Sequence, residues 1–399
     1  MHSRDSHAAR GRYLRHHGRR GSIVVLAAVF VVVIFAFTAF TVDTGWLVLT
    51  KGQLQNAADA ASKGAAWELV DGTGMAGTIT PSEAATAAQT AAATVAAANQ
   101  AGEKTSVYLN GARDTRLGQY VWNAQTGVYD KLWGVSPYNM VEVTLHRDQG
   151  AGAGGGDESL PLFFAPVIGH ETANLSVTST SALFAGVGFK ITPGSNQMVS
   201  ILPIALDIDT WDNLINNNIG TDSYTYDENS GGSNPGGDGI LEVNLYPEGT
   251  TALPPGNRGT VDLGSPNNST ADLSRQILYG LNEYDLSFFP DGEIRTDNGP
   301  LLIDGDTGLS AGIKDELTAI IGRPVAIPIF TSVVGPGNNA VYTVTKFVPV
   351  RIMYVKLTGS PSHKKVMIQP APFGDSTVII GDQTTVTTES YFTTSRLIQ

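Results

Sequence analysis

Residues 19–43 read RRGSIVVLAAVFVVVIFAFTAFTVD, and from Gly21 through Val42 the run carries no charge and is almost wholly apolar. A helix of this length rises about 33 Å, enough to span the hydrocarbon core of a bilayer. Six arginines (Arg4, Arg10, Arg12, Arg15, Arg19, Arg20) crowd its N-terminal side against Asp5 alone. Asp43 and Trp46 close the other side. The positive-inside rule then predicts that residues 1–20 are a basic cytoplasmic arm, that 21–42 is a single transmembrane helix, and that everything after Asp43 is exported. The competing reading is a cleaved signal peptide. That would have an apolar region of roughly 7–15 residues ending in a small-residue cleavage site; this run is longer and no A-x-A site ends it. The Arg19-Arg20 pair has little of a twin-arginine export signal beyond the arginines themselves.

The remaining chain is long and acidic. Of 399 residues and a formal charge of −12, the arm contributes +5, leaving −17 for the rest. An acidic body excludes the usual nucleic-acid binder, which neutralises phosphates with clustered Lys and Arg. The absence of cysteine excludes disulfides, thiolate catalysis and zinc–thiolate sites.

Past the membrane the helix is expected to continue through GWLVLTKGQLQNAADAASKGAAWELV. Leu47, Leu54, Ala58, Ala61, Ala65 and Leu69 form an apolar stripe, and Lys51, Gln55, Asp59 and Lys63 a polar one. Asp59 and Lys63 stand at i, i+4 with the acid first. Gly72-Thr73-Gly74 marks a break. Thr80-Pro81-Ser82-Glu83 then reads as a capping box with proline at the first helical position. The helix that follows, to about Ala101, should face inward with Ala84, Ala88, Ala91, Val95 and Ala98 and pack antiparallel on the first. From Thr105 the period becomes two: a hairpin around GQYVWNAQTGVYDKLW, a strand at NMVEVTLHR, a Gly150–Gly156 linker, the short apolar segment LPLFFAPVIG, and the β-prone ANLSVTSTSALFAG.

A boundary falls near Lys190. Beyond it, strands are expected at Val199–Ile208, Gly239–Leu245, Thr260–Leu263, Pro300–Ile303, Val325–Ile329, Ala340–Lys356, Lys365–Gln369 and Thr377–Ile380, with helices at Asp272–Leu281 and Ser310–Ile321. The fold class is therefore α+β: a single transmembrane helix running into an Ala-rich helical hairpin with a small antiparallel sheet (43–190), then a β-rich α+β exported domain (191–399).

Three motifs invite chemical readings. Gly308-Leu309-Ser310-Ala311-Gly312 is a literal G-x-S-x-G, but the polar turn before Ser310 separates it from its strand, so a helix N-cap competes with a hydrolase nucleophile. His146, His170 and His363 are the histidines outside the arm that such a serine would need as a base. Asp304–Gly308 with Asp315, and DENSGGSNPGGDG with Asp227, Asn229 and Asp238, have a faint calcium-loop look, against solvated turns. The glycine run lacks the spacing of a phosphate loop.

The order RRGSIVVL, apolar run, TVDTGWL, LQNAADAASKGAAWEL resembles the N-terminal segment of the TadG-like and TadE-like proteins of Tad (tight adherence) Flp-pilus secretion systems. The shared features are the basic flank, one membrane helix, Asp43-Thr44-Gly45 at its exit, and Gln55, Ala57, Ala58, Asp59, Ala60 and Ala61 beyond. The resemblance implies a single-pass protein of the bacterial inner membrane, N-terminus cytoplasmic and bulk periplasmic. It implies a structural, non-enzymatic role in pilus assembly, with membrane lipid and Flp pilus subunits or other Tad proteins as partners, and no cofactor, nucleic acid or small-molecule substrate. The anchor and exit residues are Gly21, Val42, Asp43 and Trp46; the helix signature is Gln55 and Asp59. Two departures matter. Leu26 stands where processed pilins carry Glu, which argues against a major pilin. Asp207-Ile208-Asp209-Thr210-Trp211 does not fit the Asp-x-Ser-x-Ser metal motif of von Willebrand factor A domains. An exported hydrolase using Ser310 and an envelope adhesin unrelated to pili are the alternatives.

Overall fold

The computed structural model describes residues 22–73, 79–149, 156–246, 259–264, 269–305, 311–360, 363–381, 386–387 and 389–398. Residues 1–20, Gly21, most of the Gly150–Gly156 run and Ser310 lie outside them.

Helix α1 runs from Ser22 to Trp67 without interruption, 46 residues or about 69 Å. Its two halves differ in exposure. From Ile23 to Val42 its large apolar side chains are exposed all round, a pattern for which the stable surroundings are lipid rather than water. Thr38 and Thr41 donate back to the carbonyls of Ile34 and Phe37, so their hydroxyls are satisfied within the helix. From Leu54 onward the same helix is core, with Leu54, Ala57, Ala58, Ala61, Ala65 and Ala66 fully buried.

The second long helix, Pro81–Ala97, starts on the expected capping box, with Thr80 accepting from the Glu83 amide and Glu83 from the Thr80 amide. It packs antiparallel on α1 at very short range. A Cβ on Gly64 would meet Val95 at 3.0 Å, and one on Gly72 would meet Ala84 at 2.6 Å. Its fully buried line is Ala84, Ala88, Ala92 and Ala96; of the other expected inward positions, Val95 packs at the edge of the seam against Gly64, Ala91 is half-buried and Ala98 is exposed. Stepping strictly by four keeps the smallest residues where the two backbones approach most closely.

Against α1 lies an antiparallel sheet. Strands β1 (Thr115–Asn123) and β2 (Val128–Trp133) form the hairpin, turning at Gly127 with positive φ. Next come β3 (Met140–Arg147) and strand Leu175–Ala182, and the chain's last strand, Arg396–Ile398, closes the edge. Val141, Val143, Leu145, Val177, Leu183 and Phe392 complete the core under α1.

The rest of the chain is built on a larger sheet, centred on the long hairpin Pro324–Val334 and Val341–Lys356 and flanked by Lys365–Pro370, Val243–Asn244, Leu301–Asp304 and Leu206–Asp207. Helices Ile208–Asn217, Thr270–Tyr279 and Lys314–Ala319 contribute Trp211, Leu273 and Leu317 to its core. A three-stranded sheet pairs Gly186–Lys190 with Glu293–Arg295 and Val378–Ile380. The class is α+β, as expected. Details differ: the run read as a strand to Ile208 turns into a helix there, because Asp207 caps it by accepting from the Thr210 amide at 2.8 Å. The expected strand Gly239–Leu245 shrinks to two residues.

Candidate functional site

The residues at the end of the apolar run do one specific thing. Asp43 projects from α1 into the loop 160–170, and its carboxylate takes the backbone amides of Phe163 (2.8 Å), Phe164 (3.1 and 3.3 Å) and Ala165 (2.7 Å). These amides open the short 3-10 turn Ala165–Ile168, so Asp43 supplies from another helix the acceptors that a local cap would provide. The carboxylate is thereby covered, with Asp43 only 7% exposed. One turn on, Trp46 grips the same loop: its indole N–H donates to the Pro161 carbonyl at 3.2 Å and its ring tilts against Phe163 at 5.5 Å. Val42, just before, is open to its surroundings.

The loop's base is fixed independently. Leu160 is fully buried beneath the turn Ala101–Lys104, where Gly102 adopts positive φ and approaches Thr50 so closely that a Cβ would lie 3.1 Å from its hydroxyl. The Gly102 amide donates to Gln53. Buried Arg147 ties this turn to the loop through Ala101, Glu103 and the Glu158 carbonyl. Hydrogen bonds from its own amide and from Lys104 hold the Glu158 carboxyl below the usual glutamate range.

Gln55 and Asp59 sit about 18 Å further along the helix from Asp43, measured to Gln55, and form a separate contact. Gln55 Nε2 donates to Asp59 Oδ1 at 2.8 Å and toward the Thr178 carbonyl at 3.4 Å. No Asp59–Lys63 ion pair is found among the described residues; Gln55 takes the place of the expected lysine. The residue that sequence reading missed is Ser62. Fully buried, it meets the Ser181 hydroxyl at 2.8 Å, the Ser179 hydroxyl at 3.1 Å and the Asp59 carbonyl at 3.2 Å. Its signal was a lone hydroxyl inside a run of alanines on the buried face.

The other motifs resolve into local structure where they are described. Asp227 closes a hairpin turn by accepting from the Asn229 amide and the Ser230 hydroxyl, and Asp238 accepts from the amides of Tyr226 and Ile240. His146 has Asp148 at 3.2 Å and Ser176 at 3.5 Å on the same ring nitrogen. A serine triad needs serine and carboxylate on opposite nitrogens. Asp114 stands 3.7 Å from the other nitrogen, beyond hydrogen-bond length. Among the described residues no group of three or more His, Asp or Glu is placed to hold a metal ion.

Fold and exit together define a class: a long N-terminal helix, apolar and bare over its first half, that carries an α+β body on its second. The comparisons with known families agree. Residues 21–68 match the Tad family model, described as Flp pilus-assembly TadE/G-like, and residues 64–181 match the Tad_C model, described as Tad-like Flp pilus-assembly. Together the two matches cover residues 21–181, and over that part the chain is similar to Tad-type Flp pilus-assembly proteins. The junction of the two matches falls where α1 ends at Trp67. Neither a curated protein nor a solved structure matches the chain.

Proposed function

We propose that this chain is a structural, non-enzymatic component of Flp pilus assembly. Residues 21–42 fix it in the bacterial inner membrane with the arm 1–20 in the cytoplasm, and the parts 43–190 and 191–399 lie outside. The observation that carries this reading is the continuity of α1: one unbroken helix is lipid-compatible at one end and hydrophobic core at the other. A body attached in this way moves with its anchor, because the helix cannot hinge without breaking backbone hydrogen bonds. Asp43, Trp46, Gln55 and Asp59 set where the helix leaves the membrane and how the body seats on it. The match to Flp pilus-assembly models supports partners among pilus subunits or other Tad proteins.

The test is genetic and direct. Deleting the gene in its own host should abolish or sharply reduce surface Flp pili while the pilin itself is still made, and the full chain supplied in trans should restore them. Normal piliation in the deletion strain would remove the proposal.

A further inference from the structure

Loop 160–170 has a composition that water does not favour. Phe163 is 63% exposed, Phe164 45%, Val167 88% and Ile168 76%, and Leu160 to Gly169 carries no charge. Its backbone is unusually well satisfied for a surface loop. The amides at 162–165, 167, 169 and 170 all have acceptors, and Pro161 and Pro166 have none to satisfy. Apolar side chains on a backbone with its amides already paired are what a segment needs to leave water for a lipid environment.

Its depth follows from Asp43. Ser22 to Asp43 rises about 32 Å, and Ser22 to Thr50 about 42 Å, against roughly 30 Å of hydrocarbon and 40–45 Å including the headgroups. Asp43 therefore sits at the outer edge of the hydrocarbon, and the loop it holds lies at headgroup level. Val48 and Leu49 on α1 remain exposed at the same level. Between Ser22 and Thr50 the only charge is Asp43, and that charge is consumed by the loop's own amides. The first exposed charge on the helix is Lys51.

We propose that loop 160–170 is a second membrane contact: an interfacial wedge that inserts Phe163, Phe164, Val167 and Ile168 among the lipids of the outer leaflet, tethered by Asp43 and Trp46. It adds a footing beside the helix, which opposes tilting and rotation of the body on its single anchor. The inference rests on the reading that residues 22–42 span a membrane.

Because the chain has no cysteine, single-cysteine variants of the full chain take one label each. An environment-sensitive fluorophore would be placed at Val167→Cys, Phe35→Cys and Leu302→Cys, with the protein reconstituted into phosphatidylethanolamine–phosphatidylglycerol vesicles carrying a shallow or a deep nitroxide lipid. The Phe35 label, on the span, should be quenched most by the deep nitroxide, and the Leu302 label should behave as in water. The Val167 label should be blue-shifted and quenched several-fold more by the shallow nitroxide than by the deep one. Adding Asp43→Ala should reduce that shallow quenching, since the tether is cut. A Val167 label that behaves like the Leu302 label while Phe35 is buried overturns the wedge and leaves the anchor standing, whether the loop is bare or covered by a protein in the cell. A Phe35 label in water overturns the anchor, and the wedge with it. Quenching at Val167 that Asp43→Ala does not change overturns the tether.

Discussion

Replacing Ser62 with alanine tests how α1 is seated on its sheet. The hydroxyl lies at the meeting point of the Ser179 and Ser181 side chains, all three buried. Removing it strands two hydroxyls in a dry interface, and leaving buried groups unpaired costs about 1–3 kcal/mol. The triple replacement of Ser62, Ser179 and Ser181 with alanine removes the stranded groups along with the bond and should cost less than the single change, because an apolar pair of similar shape is close to neutral. Hydrogen exchange read by mass spectrometry on the full chain in lipid nanodiscs resolves this locally. Amides on the α1 segment around Ser62 should exchange roughly 5- to 150-fold faster in Ser62→Ala, the equivalent of that cost, and should recover most of their protection in the triple variant. Protection that falls further in the triple variant would refute the reasoning, since it would mean that the three hydroxyls act separately rather than as one network.

Ala88→Leu forces a large side chain into the seam between α1 and Pro81–Ala97, where Ala88 is fully buried, and should destabilise the protein by about 1–3 kcal/mol in thermal unfolding. Ala97→Leu on the exposed end of the same helix should stay within about 0.5 kcal/mol. Glu242 makes a pH prediction. Burial pushes its carboxyl above the ordinary glutamate range, against the opposing effect of hydrogen bonds from Ser223, Tyr224 and Thr221. Below the ordinary value the group is protonated in both folded and unfolded states and costs nothing. As pH rises through the raised folded value, the cost of ionising it inside the protein accumulates. The stability of the natural protein relative to Glu242→Gln should therefore fall as pH rises from the ordinary glutamate range upward, as followed by thermal unfolding midpoints; a relative stability that rises with pH would contradict it.

Local chemistry made much of the fold legible. The charge-free run, the Thr80–Glu83 box and the Gly127 turn each carry their instruction within a few residues, and each forms as read. The register of the alanine helix was only partly legible: Thr86, Thr90 and Thr94 mark the exposed face, but alanines flank the inward one on both sides, and the full burial of Ala92 and Ala96 rather than Ala91 follows from how the helix packs on α1. Helix Ile208–Asn217 was missed because the apolar run before it, to Ile208, reads as a strand, though Asp207 three residues before Thr210 was a usable cap signal. At the exit, Asp43 and Trp46 stood out as residues but their partner did not. The backbone groups they hold, amides for Asp43 and a carbonyl for Trp46, are about 120 residues away in sequence, and LPLFFAPVIG by itself reads only as a short apolar segment. The same distance problem hid Arg396–Ile398 pairing with Leu175–Ala182.

We propose that residues 21–42 hold the chain in the inner membrane with the arm inside and the body outside. Cysteine labelling in intact cells tests it most directly, again because the chain has no cysteine of its own. With a membrane-impermeant maleimide applied to cells whose outer barrier has been opened, Leu302→Cys, at a site 72% exposed, should label at once, and Ser6→Cys in the arm should label only after the inner membrane is permeabilised. Labelling of Ser6→Cys before permeabilisation, or protection of Leu302→Cys, would contradict the account.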